Sequence, residues 1–119
     1  MESREFRNKL GQLHRDDGPA VIKEDGTQVW YQNGKRHRID GPAIISATGS
    51  KFWWVNGQLH RKDGPAIIKA DGTQEWWIDD KQHRIDGPAI IKADGTQEWW
   101  IDDKQVDTLV HFLQRSKSK

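Results

Sequence analysis

The chain has no cysteine, so neither a disulfide nor a thiolate metal site can be built from it. No apolar run approaches the length of a membrane span. The opening "MESREFRNKLGQ" lacks the hydrophobic stretch of a secretory signal, so a cytoplasmic location without a transmembrane segment is expected. Charge of one sign is missing too: nineteen Lys and Arg stand against eighteen Asp and Glu. A dedicated nucleic-acid binder carries a strongly basic balance, and here only the tail "RSKSK" is locally basic. Apolar residues make up only 34% of the 119, yet seven residues are tryptophan. Indole rings must therefore supply much of the buried area with which a single domain of this length folds.

The four prolines all fall in one phrase. "HRIDGPAII" runs from His37 to Ile45 and again from His83 to Ile91, with close copies starting at His14 and His60. The period is 23 residues, giving units 11–33, 34–56, 57–79 and 80–102 between a segment 1–10 and a segment 103–119. Within each unit a short apolar run precedes Asp25-Gly26, Thr48-Gly49, Asp71-Gly72 or Asp94-Gly95, and an aromatic pair follows it. Glycine there tolerates the positive φ of a tight primed turn, so each unit predicts one β-hairpin. Proline lacks an N–H and marks a strand start. The fold expected is all-β: an elongated single antiparallel sheet, a solenoid of four hairpin repeats whose units touch mainly their neighbours.

The pattern "GPAxxxxxGxxxWWxNGxxHRxDGPA" across Gly41 to Ala66 resembles a MORN-type repeat, and is most similar to the variant carrying His-Arg-x-Asp-Gly-Pro-Ala. Such repeats occur in bacterial, phage and giant-virus proteins and in antitoxin-like proteins. The resemblance spans about Gly11 to Gln105 and implies β-hairpin units that bind protein partners or anionic lipids, or self-associate. The Tyr-x-Gly opening of that family is absent here.

In the segment 103–119, Val106, Leu109, Val110 and Leu113 are spaced at i, i+3, i+4 and i+7, after a capping-box-like Asp102 and Gln105. This predicts a helix laid over the last hairpin, ahead of the basic tail. At the amino end Phe6 and Leu10 offer little cover, leaving a terminal hairpin edge open for a homodimer.

His14, His37, His60 and His83 invite a metal. Two strands per unit put equivalent histidines nearly 10 Å apart, too far to share an ion whose ligand atoms lie at about 2 Å. His111 has no companion, and no metal or cofactor is expected. In His-Arg-x-Asp the acidic row Asp17, Asp40, Asp63 and Asp86 neutralises the basic row Arg15, Arg38, Arg61 and Arg84, which suits a locked connection better than a phosphate site. No nucleophile recurs beside the histidine, so no catalytic site is expected. Strand alternation puts Trp30, Trp53, Trp76 and Trp99 on one side and Tyr31, Trp54, Trp77 and Trp100 on the other. The first column is expected to be buried. The second is expected to be half-exposed beside Glu75 and Glu98, and to contact a partner, with the arginine row as a secondary surface.

The reading is a non-enzymatic scaffold for a protein partner, in the manner of an antitoxin, inhibitor or adaptor. Its rival is a small-ligand module for a glycan, choline or an anionic lipid headgroup.

Overall fold

The computed structural model describes residues 2–106 and is all-β over that length. Ten antiparallel strands form one wide sheet in the order Arg4–Glu5, Val21–Ile22, Gln28–Val29, Ile44–Ile45, Lys51–Phe52, Ile67–Ile68, Gln74–Glu75, Ile90–Ile91, Gln97–Ile101 and Lys104–Val106. Neighbours in sequence are neighbours in the sheet, as stacked repeats require. The principal extents are 50 × 30 × 20 Å and the radius of gyration is 16.5 Å, against about 13.5 Å for a compact domain of this length.

Each repeat makes two hairpins where the sequence predicts one. The first closes at the Asp-Gly or Thr-Gly site, but not by a two-residue primed turn. In the first unit Gly26 donates to the Lys23 carbonyl at 3.0 Å and Lys23 donates to Thr27 at 2.9 Å, with Gly26 at φ 94°. That is a three-residue loop with a left-handed glycine at its end. The primed turn lies instead at Asn33-Gly34, where φ is 50° and 82°, and it joins Tyr31–Gln32 to Lys35–Arg36. Trp54–Val55 with Gln58–Leu59, and Trp77–Ile78 with Lys81–Gln82, repeat it as separate two-stranded sheets.

The first tryptophan of each pair is the joint between the two hairpins. Trp30 donates its backbone N–H to Ala43 of the next unit at 2.7 Å and accepts from His37 at 3.1 Å; Trp53 and Trp76 do the same with Ala66 and His60, and with Ala89 and His83. Ala20, Ala43, Ala66 and Ala89 have no exposed surface at all, so any larger side chain at the end of the "GPA" phrase would push neighbouring repeats apart.

Residues directly opposite one another share a face. One row of the wide sheet therefore runs Val21, Val29, Ile44, Phe52, Ile67, Glu75, Ile90 and Glu98. Val21, Val29, Ile67 and Ile90, the buried aliphatic side chains larger than alanine among the described residues, all belong to it. Apolar pairing gives way to Ile–Glu pairing along the chain. The core is a strip one residue deep.

The amino-terminal segment starts the sheet. Arg4–Glu5 pairs with Val21–Ile22, Arg7 bridges to Leu13, and Phe6 takes the tryptophan's place, donating its N–H to Ala20 and accepting from His14. At the other end Asp102 and Asp103 form a fourth tight turn, at φ 47° and 69°, and Gln105 and Val106 continue in a strand. They do not begin a helix: the register that pairs Trp99 with Val106 repeats the earlier hairpins. The rest of the helix expected in 103–119 lies outside the described residues.

Candidate functional site

The repeated phrase folds into a clasp. Arg38 lies over the Trp30 ring with Cζ 4.0 Å from its centroid, donates from Nε to Asp40 at 3.2 Å and donates from Nη1 to the Pro42 carbonyl at 3.0 Å. Arg61 repeats this on Trp53, Asp63 and Pro65, and Arg84 on Trp76, Asp86 and Pro88. Arg15 does so on Phe6, Asp17 and Pro19. A Cβ on Gly41 or Gly64 would stand 2.9 Å from the arginine Cζ, and one on Gly87 2.7 Å. The arginine caps the ring and the aspartate fixes its orientation, while the glycine makes room for the guanidinium and the proline carbonyl accepts from it.

This arrangement corrects the reading of the first aromatic column. Trp30, Trp53, Trp76 and Trp99 are half-buried, and the first three are covered by a guanidinium rather than by an apolar layer. The arginine lies eight positions after the tryptophan, across a turn that the sequence reads only as a connector.

Each histidine ties the start of its own unit to that unit's end. His14 Nδ1 accepts the backbone N–H of Asn33 at 3.0 Å, and His37, His60 and His83 accept those of Asn56, Asp79 and Asp102 at 2.9 to 3.0 Å. At His14 and His37 an accepting Nδ1 places the ring proton on Nε2; at His60 and His83 the same Nδ1 also stands 3.2 and 3.3 Å from the carboxylates of Asp79 and Asp102. No group of three or more metal-binding side chains occurs among the described residues.

In the second aromatic column the carboxylates do stand beside the rings. Trp77 Nε1 donates to Glu75 and Trp100 Nε1 to Glu98, each at 3.0 Å, and Lys69 and Lys92 hold the other carboxylate oxygens at 3.4 and 3.1 Å. The Trp100 indole first, and Lys92 after it, hold the Glu98 carboxyl below the usual range. Tyr31, Trp54, Trp77 and Trp100 are all half-buried, and Arg36 lies 5.0 Å from the Trp54 ring. Trp54 differs from the other two indoles: Phe52 stands where they have glutamate, and its buried Nε1 has no partner.

Between successive clasps lie three open clefts, of about 860, 690 and 480 Å³. The middle one is lined by Arg38, Ile39 and Asp40 on one side and by Trp53, Val55, His60 and Arg61 on the other. The third repeats those positions one unit on, with Lys62 for Ile39, Ile78 for Val55 and His83 for His60. Ile39, which separates the first two clefts, is 76% exposed. The sequence places Val55 and Ile78 on the side of the first tryptophan column but does not single out Ile39. The variable position inside an otherwise fixed phrase was the available signal.

Compared with known proteins, the chain matches no family model and no curated sequence. No helix among the described residues is long and apolar enough to cross a membrane.

Proposed function

We propose that this chain is a non-enzymatic repeat scaffold that binds a protein partner along the length of its stack, acting by steric occlusion or scaffolding as an antitoxin, inhibitor or adaptor does. The MORN-type resemblance of the repeats points the same way. The observation that carries the reading is the recurrence of one cleft, with the same residue positions, at a constant interval along a 50 Å body. A surface of that kind suits an extended partner, whereas catalysis needs unlike groups converging on one atom. Tyr31, Trp54, Trp77 and Trp100 with Glu75 and Glu98 form one candidate contact column. The arginine row contributes mainly by holding the cleft walls.

The rival small-ligand reading has less to work with. A cage for choline needs free ring faces: guanidiniums at 3.9 to 4.0 Å cover Trp30, Trp53 and Trp76, which leaves the second column, where Arg36 lies 5.0 Å from the Trp54 ring and the Trp77 and Trp100 indoles are bonded to glutamate. The test is capture from a lysate of the source cells, followed by cross-linking and peptide mapping. Cross-links from one protein to several successive repeats support the scaffold. A saturable change in tryptophan fluorescence with choline, an oligosaccharide or an inositol phosphate, and no captured protein, supports the rival.

A further inference from the structure

The histidine ring leaves its outer N–H without a partner in three of the four repeats. In the first, His14 Nε2 meets Asp16 Oδ1 at 3.0 Å, an oxygen placed to accept its N–H. The residue equivalent to Asp16 is Ile39, Lys62 or Ile85 in the other three, and none of these side chains can accept. His37, His60 and His83 keep Nδ1 engaged and line the three clefts, and their Nε2 is neither bonded nor buried among the described residues. Each cleft thus holds one histidine whose outer nitrogen has no partner. The second and third place it beside an aliphatic floor, Val55 or Ile78.

The interval selects the ligand. Two strands per repeat at about 4.8 Å put the clefts about 9.6 Å apart. A polyproline II segment turns once per three residues and rises about 9.3 Å, so every third residue returns to the same face. An extended strand returns every two residues, at about 6.6 Å, and misses the interval; two turns of α-helix rise about 10.8 Å and drift by more than about 1 Å per repeat. The polyproline II backbone also makes no internal hydrogen bonds, so its carbonyls are free to accept.

We propose that the row of clefts binds a proline-rich segment in the polyproline II conformation, with an apolar side chain at every third residue, one per cleft. The Nε2–H groups of His37, His60 and His83 donate to its carbonyls. The proposal rests on the scaffold reading and gives its partner a chemistry.

The experiment uses the full chain and two length-matched series of synthetic peptides, each lengthened by triplets and proline-rich with leucine at every third or at every fourth residue, titrated by calorimetry and tryptophan fluorescence. Binding of the three-residue-period peptide should tighten about tenfold with each added triplet, as linked sites do, while the four-residue-period peptide gains little. Ile39→Asp, at a position exposed enough to leave the fold intact, should weaken the first peptide about tenfold or more. Equal affinity for the two periods, no binding at millimolar peptide, indifference to Ile39→Asp, or preference for a glycan chain would each overturn the proposal. If the peptides fail while a cross-linked cellular protein still binds the Ile39→Asp chain, the scaffold reading stands and this inference falls.

Discussion

Replacing Gly64 by alanine should have opposite effects depending on what residue 61 is. Arg61 is three-quarters buried, its guanidinium 4.0 Å from the Trp53 centroid and hydrogen-bonded to the Pro65 carbonyl at 3.1 Å. The stack contributes about 0.5–2 kcal/mol and the carbonyl bond about 0.5–1.5 kcal/mol. Asp63 is 89% exposed, so its ion pair adds little. Arg61→Ala should therefore cost about 2 kcal/mol. A Cβ at residue 64 would lie 2.9 Å from Arg61 Cζ and push the guanidinium off the ring, so Gly64→Ala should forfeit most of the same energy. In the Arg61→Ala background nothing blocks that Cβ. Gly64 has no left-handed φ, and alanine restricts the unfolded chain, so the same substitution should then stabilise by about 0.4–1 kcal/mol. Urea unfolding of the four proteins gives the coupling directly. Additive effects, or a cost for Gly64→Ala in both backgrounds, would refute the clasp.

Thr73 is 8% exposed and its Oγ1 accepts the Ala93 N–H of the next repeat at 3.1 Å; Thr73→Val should cost about 1–2 kcal/mol in thermal or urea unfolding. Trp54→Phe removes an unpaired buried donor, whereas Trp77→Phe removes one bonded to Glu75, so the second should be the costlier by about 1 kcal/mol in the same assay. Asp25 and Asp71 lie below the usual carboxyl range because the backbone N–H and hydroxyl of Thr27 and Thr73 donate to them, and Asp94 because the Thr96 hydroxyl and N–H do. A depressed folded pKa contributes stability above the ordinary value near 3.8 that is lost as pH falls through the folded one. The melting temperature should thus hold between about pH 7 and 5 and fall below about 4, and the triple Asp→Asn variant should show a shallower fall.

The repeat, its antiparallel pairing and the first hairpin of each unit were legible because a fixed period, alternation and Asp-Gly are local signals. The second hairpin was harder to see. Asn33-Gly34 and Asn56-Gly57 read as connectors, and in the last two units Asp79-Asp80 and Asp102-Asp103 carry no glycine. Aspartate accepts a left-handed φ of 69° there because its carboxylate gains a bond from the preceding repeat: Leu59 N–H donates to Asp80 and Gln82 N–H to Asp103. That return exists only once the units stack. The arginine over tryptophan was hidden for the same reason. The half-unit at the amino end was masked by Phe6 in place of tryptophan and by a longer turn, Asn8 to Gly11, in place of Asn-Gly. Of the candidate contacts, sequence alone named both aromatic columns and the arginine row. The clefts between clasps needed coordinates.

Excision of one unit, residues 63 to 85, joins Lys62 to Asp86 and restores "HRKDGPAII" without a seam. If identical modules stack side by side, the shortened chain should unfold in urea as one cooperative transition, with an m-value lower by about a fifth and the same strand signature in circular dichroism. A chain that no longer folds after losing those 23 residues would contradict side-by-side stacking, and so would one that tolerates removal of any half-unit equally well.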